Sequence, residues 1–256
     1  METNALQGAS ALFIGLVVAL YLLVLRGTYQ AFRQQGPQSA ATARSRTLVA
    51  AAVLLLWLAV CAAVAGSGFL SDFNARPPRL MLVLPLPLLT AVWLARSEAV
   101  GRLLDAMPRA GLVALQSFRV LMEVVLWLLF VGGEIPVQMT FEGLNYDILT
   151  GLTAPIIAYF CFVRRSWPWQ VAFGWNIAGL LILVNIVTIA FLSAPLPIRY
   201  FFNEPANTIV ARFPMVWLPC FVVPLAYTLH VLSMRQLLRR AAAARVPTPP
   251  HAASLA

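Results

Sequence analysis

The chain has 256 residues, of which 61% are hydrophobic and 11% charged, with a mean hydropathy of +0.83 and a formal net charge of +9. A soluble domain carries about a quarter charged residues, so this composition excludes an ordinary soluble domain. The apolar residues fall in long blocks, and a helix needs about 20 apolar residues to cross a bilayer. The sequence therefore predicts an all-α, polytopic transmembrane helix bundle.

Seven apolar blocks follow one another along the chain, and each predicts a membrane-spanning helix. They cover residues 6–25, 48–66, 80–95, 111–131, 148–163, 171–192 and 213–234. The third and fifth blocks are shorter than about 18 residues, and Pro85 and Pro87 predict a bent or partly unwound helix in the third. The blocks occupy most of the chain, so we expect one seven-helix domain over residues 1–240 and a disordered tail over residues 241–256.

The distribution of basic residues predicts the orientation. All 18 basic residues are Arg, and they concentrate in alternate connections, at residues 26–46, 96–109, 164–165 and 235–245. By the positive-inside rule these connections face the cytoplasm, with the N-terminus outside and the C-terminus inside. The positive charge then serves topology and contact with anionic lipid, so the expected partner is the lipid bilayer and no nucleic acid is needed.

The fourth block, which contains LQSFRVLMEVVLWLLF, carries polar residues in an otherwise apolar run. Gln116, Arg119 and Glu123 lie within about 60° of one another on a helix, with Glu123 about 18 Å from the start of the block. An ionisable group near the middle of a bilayer must be paired or face protein or water, and Arg119 is the simplest partner of Glu123. Asn176 and His230 in later spans complete this candidate ligand-binding set.

Several interpretations of this set stay open. It either fixes helix packing through buried polar contacts or lines a site that binds or translocates a small solute or ion. A membrane-embedded enzyme acting on a lipid or quinone-like substrate, with Glu123 or His230 as acid or base, is an alternative. A sensor or assembly partner that acts through the arginine-rich inner face is another.

Motifs for common chemistry are missing from the sequence. There is no G-x-S-x-G, no H-E-x-x-H and no phosphate-binding glycine loop. The cysteines, Cys61, Cys161 and Cys220, are odd in number and lack paired spacing, which argues against a disulfide framework or a zinc site. We therefore expect neither a metal nor a cofactor, and the sequence names no catalytic residue with certainty.

The connection between the fourth and fifth blocks, GGEIPVQMTFEGLNYDILTG, is acidic. Glu134, Glu142 and Asp147 lie in it without any basic residue. Such a loop is a candidate outer vestibule that concentrates cations. The alternative is an ordinary solvated loop.

The last block contains prolines at every fifth position, namely Pro214, Pro219 and Pro224. Each proline removes a backbone donor and leaves an upstream carbonyl without its helical partner. Neighbouring helices or a ligand can satisfy such carbonyls. The first case predicts a bent helix and the second a binding site.

Three stretches carry a resemblance to known sequences. FRVLMEVVLW, PVQMTFEGLNYDILTGLTAP and VWLPCFVVPLAYTLHVLSMRQL resemble a family of uncharacterised bacterial multi-pass membrane proteins, over about residues 78–236. The resemblance implies an all-helical protein of the bacterial cytoplasmic membrane. It implies no activity, cofactor or substrate, and it assigns no functional residue.

Overall fold

The computed structural model describes residues 2–34 and 40–244. Within these ranges the chain forms ten α-helices and no strand: α1 Glu2–Gln34, α2 Ala40–Gly66, α3 Leu80–Val83, α4 Pro85–Arg96, α5 Glu98–Ala106, α6 Arg109–Leu115, α7 Phe118–Val131, α8 Asp147–Ala158, α9 Trp169–Leu192 and α10 Val223–Ala243. Two π-helical segments, Tyr159–Val163 and Leu218–Val222, extend α8 and precede α10. α10 continues past residue 240, the predicted domain boundary, and residues 245–256 of the predicted tail lie outside the described part.

Five helical segments in the described ranges are long and apolar enough to cross a membrane: Asn4–Gln34, Ala40–Gly66, Arg109–Val131, Trp169–Leu192 and Leu218–Ala243. A sixth is added if Leu80–Arg96 and Glu98–Ala106, which meet at an angle of 69°, form one span. The apolar segment Asp147–Val163 is shorter. The prediction of an all-helical protein with several candidate spans is confirmed, and the count of seven stays a prediction that depends on the two short segments.

The third block is interrupted next to its prolines, since α3 ends at Val83 and α4 begins at Pro85, and a sharp bend of 69° follows at Ser97. Pro85 begins α4, where a missing backbone donor costs little because that N–H has no helical partner. Ser97 has extended backbone angles, and its side-chain oxygen accepts a hydrogen bond from the N–H of Val100 at 3.5 Å. The helix therefore stops at Arg96, and the N-cap of Ser97 starts α5 in a new direction.

α7 lies in the interior of the bundle and packs against α1 and α8. The buried face of α1 has apolar residues at helical spacing, namely Ala9, Phe13, Leu16, Val17 and Leu20, and it shares one core with Met122, Val125, Leu126 and Leu129 of α7. Leu22 and Leu23 of α1 are exposed. An exposed apolar face is expected where a helix meets lipid, because lipid tails solvate it as well as protein does.

Two glycines let neighbouring helices approach closely. A Cβ atom at Gly151 of α8 would lie 2.7 Å from the backbone nitrogen of Val120 on α7. A Cβ atom at Gly179 of α9 would lie 2.5 Å from the ring of His230 on α10. Small residues at such crossings bring membrane helices into backbone contact. These two contacts position α8 against α7 and α9 against α10 around the polar interior.

The prolines of the last span support the structural interpretation. Pro214 precedes the span, Pro219 lies in the π-helical segment, and Pro224 lies in the first turn of α10. Pro224 cannot donate to the carbonyl of Cys220, four residues upstream. Nε1–H of Trp57 on α2 donates to that carbonyl instead, at 2.9 Å. A neighbouring helix thus satisfies the carbonyl, and no ligand is required there.

Replacing Gly151 by Ala tests the α7–α8 crossing. Gly151→Ala is expected to lower the free energy of unfolding by about 1–3 kcal/mol, because the added methyl group overpacks the contact with Val120. Gly174→Ala is the matched control, since nothing lies within 4 Å of the added carbon. There the change should raise stability by about 0.5–1 kcal/mol, as Ala does for Gly in a helix. Unfolding of the purified protein in detergent measures both, and equal effects would contradict the close crossing.

Candidate functional site

The candidate residues of the fourth predicted block lie where α6 joins α7. Backbone hydrogen bonds between residues three apart replace the helical pattern there, including Gln116 N–H to Val113 O and Arg119 N–H to Gln116 O, both at 3.1 Å. The chain is wound more tightly at this turn, and α6 and α7 still form one continuous helical segment, Arg109–Val131. Gln116, Arg119 and Glu123 are 0%, 1% and 1% exposed, in agreement with the expectation that the stripe faces the protein interior.

Arg119 pairs with Asp147, not with Glu123 as the sequence suggests. Nη1 of Arg119 donates to Oδ1 of Asp147 at 2.5 Å, and both side chains are buried. Asp147 is the first residue of α8, where the helix dipole favours a negative charge. The pairing depends on the fold of the 132–146 connection, which brings the start of α8 against α7. Spacing along a single helix does not reveal such a partner.

Glu123 is held by the same connection. Nδ2 of Asn145 donates to Oε1 of Glu123 at 2.7 Å and to the carbonyl of Met139 at 3.1 Å. Oδ1 of Asn145 accepts from the backbone N–H of Asp147 at 3.0 Å. Sequence reasoning missed Asn145. The local sequence could have identified it, because an Asn side chain often accepts a hydrogen bond from the backbone N–H two residues later, here at the start of a helix.

The acidic connection therefore divides into two parts. Asp147, a candidate for the outer vestibule, is buried and belongs to the site around Arg119. Glu142 is exposed and accepts a hydrogen bond from Nε1–H of Trp127 at 2.7 Å, and Glu134 is partly exposed. Only Glu134 and Glu142 remain candidates for an outer acidic surface.

Asn176 and His230 form a second buried group, between α9 and α10. Nδ2 of Asn176 donates to Oγ of Ser233 at 3.0 Å and to the carbonyl of Ala172 at 2.7 Å. Its Oδ1 lies 2.9 Å from Nδ1 of His230. An amide oxygen can only accept, so Nδ1 of His230 carries a proton and donates. Asn176 thus orients the His230 ring across the α9–α10 contact.

Gln116 connects the α6–α7 turn to α10. Its Nε2 donates to the carbonyl of Ala226 on α10 at 3.1 Å, one turn before His230. Four polar residues of α10 recur at every third position, namely Tyr227, His230, Ser233 and Gln236. Residues three apart are neighbours on a helix, so they form a continuous polar row. Tyr227 and Gln236 were missed by the sequence reasoning, although this spacing was visible.

A cavity of about 260 Å³ lies between α4, α7, α9 and α10. Its walls are mainly apolar and include Leu88 of α4, Met122 and Leu126 of α7, and Leu183 and Ile186 of α9. Arg119, Glu123, Asp147 and Tyr227 also line it. Gln116, Asn176 and His230 do not, so the five predicted ligand-binding residues divide between the cavity and the packed polar region beside it.

The polar end of the cavity has unused hydrogen-bonding capacity. Among the residues that the structure describes, Nε and Nη2 of Arg119 and Oε2 of Glu123 are buried and lack a hydrogen-bond partner. A buried polar group without a partner is costly, about 1–3 kcal/mol. In residues 2–34 and 40–244, no three His, Cys, Asp or Glu side chains come together as a metal site would require. The free groups suit a ligand that both donates and accepts hydrogen bonds.

A double-mutant cycle tests the buried ion pair. Arg119→Ala and Asp147→Ala should each lower the free energy of unfolding by about 3–5 kcal/mol, because each leaves an uncompensated buried charge. The double variant should lose clearly less than the sum. Denaturation of the purified protein in detergent measures all three. Additive losses would contradict the pairing.

The matched control is the pair Arg199–Glu204, joined at 2.9 Å in the connection before the last span, in which the Glu204 side chain is 70% exposed. The Arg199 guanidinium holds the pKa of the Glu204 carboxyl below its usual value, chiefly through the hydrogen bond between them. Solvent screens such a pair, so its coupling in the same cycle should be close to zero. A comparable coupling in both cycles would mean that burial of Arg119 has no special effect.

Comparison with known proteins adds a family and no activity. No curated protein and no solved structure matches the chain. One family, described as "Domain of unknown function (DUF8737)", matches residues 77–238. This range agrees with the resemblance over residues 78–236, and it contains every candidate residue while leaving α1 and α2 outside. Because the match covers more than half of the sequence, the chain belongs to the DUF8737 family, a domain of unknown function.

Proposed function

We propose that this membrane protein binds a small, neutral, mainly apolar ligand with one polar end, in the cavity between α4, α7, α9 and α10. The observation that carries the proposal is the make-up of the cavity wall. Apolar side chains form most of it, and Arg119, Glu123 and Asp147 come together at one position. A lipid-derived or quinone-like molecule has this distribution of polarity.

The apolar wall selects the body of the ligand. Each buried CH₂ group contributes about 0.8 kcal/mol on transfer from water, whereas a polar group without a partner is penalised. The volume of about 260 Å³ lies close to the lower end of small-molecule sites, which span about 300–1,000 Å³. A ring or headgroup with the first part of a chain fits this volume better than a whole phospholipid.

The polar end selects the functional group of the ligand. Arg119 offers two nitrogens, Nε and Nη2, whose N–H groups no described residue uses, and Glu123 offers one carboxyl oxygen in the same situation. Asp147 already compensates the charge of Arg119. An anionic ligand would face Glu123, and a cationic ligand would face Arg119. A neutral carbonyl or hydroxyl group avoids both repulsions and uses the free donors and acceptor.

A small hydrophilic solute or an ion is the weaker candidate. An ion that loses its water shell needs polar ligands around it, and most of the wall is apolar. One observation supports the enzyme alternative: Glu123 lines the cavity. Its carboxyl group is therefore placed to act as an acid or base on a bound ligand. His230 does not line the cavity, so chemistry on a bound ligand would depend on Glu123.

We also propose seven spans, with the N-terminus outside and the C-terminus in the cytoplasm of a bacterium. The arginine distribution supports this orientation. Contacts at one end of the bundle support it as well, because Arg239 near the end of α10 forms ion pairs with Glu98 and Asp105 of α5. Two arginine-rich connections thus lie on the same side. The bilayer is the expected partner.

Reporter fusions test the topology. Fusions within residues 27–46 and 96–109 and at the C-terminus should be active in the cytoplasm, because arginine-rich connections are retained there. A fusion within residues 134–147 should be active outside. Measurements use a paired alkaline phosphatase and fluorescent protein reporter in bacteria. A C-terminal fusion active only in the periplasm would remove a span or invert the arrangement.

A ligand panel tests the binding proposal. Decylbenzoquinone or oleyl alcohol should raise the Tm of the purified protein, whereas sodium ions and citrate should not. Leu183→Trp should abolish the shift, because Leu183 lines the cavity and is 2% exposed. Leu181→Trp on the same helix is the control, since Leu181 is 66% exposed. A response to the hydrophilic compounds alone, or full binding by Leu183→Trp, would reject this ligand class.

A further inference from the structure

One side of the cavity reaches the lipid-facing surface. Leu88 of α4 lines the cavity and is also 43% exposed. Val187 and Phe191 of α9 line it as well and are partly exposed. The cavity is only partly enclosed, and because these side chains border both the cavity and the outer surface we place its opening between them. This opening, between Leu88 on one side and Val187 and Phe191 on the other, is called the mouth below.

The packing of α4 explains why the mouth exists. α4 packs chiefly against α10 and the neighbouring α5, whereas α9 packs against α8 and α10. α4 and α9 therefore flank α10 without being held closely together. Outside the mouth, Leu89 and Trp93 of α4 and Val184 of α9 are exposed apolar residues. Apolar exposure of this kind is typical of a surface covered by lipid tails.

The end of the cavity nearest the 193–217 connection is covered by that connection. Ala194, Leu196 and Asn207 line the cavity there, and each is buried. Tyr200 and Phe202 of the same connection are exposed, as aromatic residues at a membrane interface usually are. The 193–217 connection therefore closes the cavity at that end of the bundle, and the mouth lies on the side of the bundle.

The mouth and the polar groups lie at similar depth. At a rise of 1.5 Å per residue, Leu88 is about 12 Å from the start of α3 at Leu80. Glu123 is about 12 Å from the end of α7, and Val187 is about 8 Å from the end of α9. These helix ends adjoin connections that all contribute to the cavity, through Phe73, Met139 and Ala194. A ligand can therefore pass sideways to Glu123 with little change in depth.

We propose that the ligand enters from the hydrocarbon layer of the membrane through the mouth between α4 and α9, and that its polar end stops at Arg119 and Glu123. The proposal rests on the proposed ligand site and adds the source of the ligand. The ligand is a lipid-soluble molecule dissolved in the bilayer, and it never crosses the aqueous phase. Of the membrane's two halves, the one beside the 193–217 connection supplies it.

Carbodiimide labelling of Glu123 tests this route. A carboxylic acid adds to a carbodiimide and rearranges to an N-acylurea, which retains all atoms of both reactants and is detected as a mass increase of the peptide. Dicyclohexylcarbodiimide dissolves in the bilayer, whereas the ethyl-dimethylaminopropyl reagent stays in water. With the full-length protein in phosphatidylcholine vesicles, we expect the lipid-soluble reagent to label Glu123 and the water-soluble one to leave it unlabelled.

Two neighbouring variants locate the entrance. Leu88→Trp places a bulky side chain in the mouth and should remove most of the adduct. Leu89→Trp is the matched control, because Leu89 is 64% exposed and does not line the cavity. It should leave the labelling rate unchanged. Glu123→Gln should abolish the adduct and so confirms which carboxyl reacts.

Three outcomes would overturn the route through the mouth. They are labelling by the water-soluble reagent at a comparable rate, equal labelling in Leu88→Trp and Leu89→Trp, and no adduct in the wild type at any pH at which the protein stays folded. The labelling needs no ligand. If it follows the expected pattern while no ligand shifts the Tm, the route stands and the proposed ligand class fails.

Discussion

The buried ion pair between Arg119 and Asp147 is the constraint on which the polar interior depends. A guanidinium placed inside an apolar bundle is unstable unless an opposite charge or several hydrogen bonds compensate it. Asp147 supplies that compensation from the first turn of α8. Because the ion pair requires contact, the 132–146 connection must return the chain to α7. Asn145 completes this return by bonding Glu123 and the backbone of Asp147.

Packing by small residues makes the arrangement geometrically possible. Gly151 brings α8 against α7 within backbone distance, one turn after Asp147, and Gly179 gives the His230 ring a flat surface on α9. In a membrane, close packing and interhelical hydrogen bonds replace the hydrophobic effect as the forces that hold helices together. The polar groups and the glycines therefore stabilise the same helix contacts. The polar groups supply specific contacts, and the glycines let the helices come close enough to form them.

The cavity lies where this packing ends. α7 and α10 bring Arg119, Glu123 and Tyr227 to its edge, while α4 and α9 contribute apolar side chains to its wall. The cavity combines a mainly apolar wall with polar groups that lack hydrogen-bond partners at one end. This combination supports the proposal of a ligand that is dissolved in the bilayer and carries one neutral polar group. The same features disfavour hydrated ions, since most of the wall offers no replacement for water.

Sequence patterns predict the helical class of the protein and the interior face of α7. Long apolar blocks favour membrane-spanning helices, because a helix satisfies its own backbone groups where a bilayer offers no partner. The spacing of Gln116, Arg119 and Glu123 on one helix placed them together, since that relation follows from the helical period alone. Tertiary structure alone decided the partner of Arg119, the burial of Asp147 and the cavity. Each of these depends on which distant segments meet, and the periodicity of a single helix carries no information about contacts across 28 residues of chain.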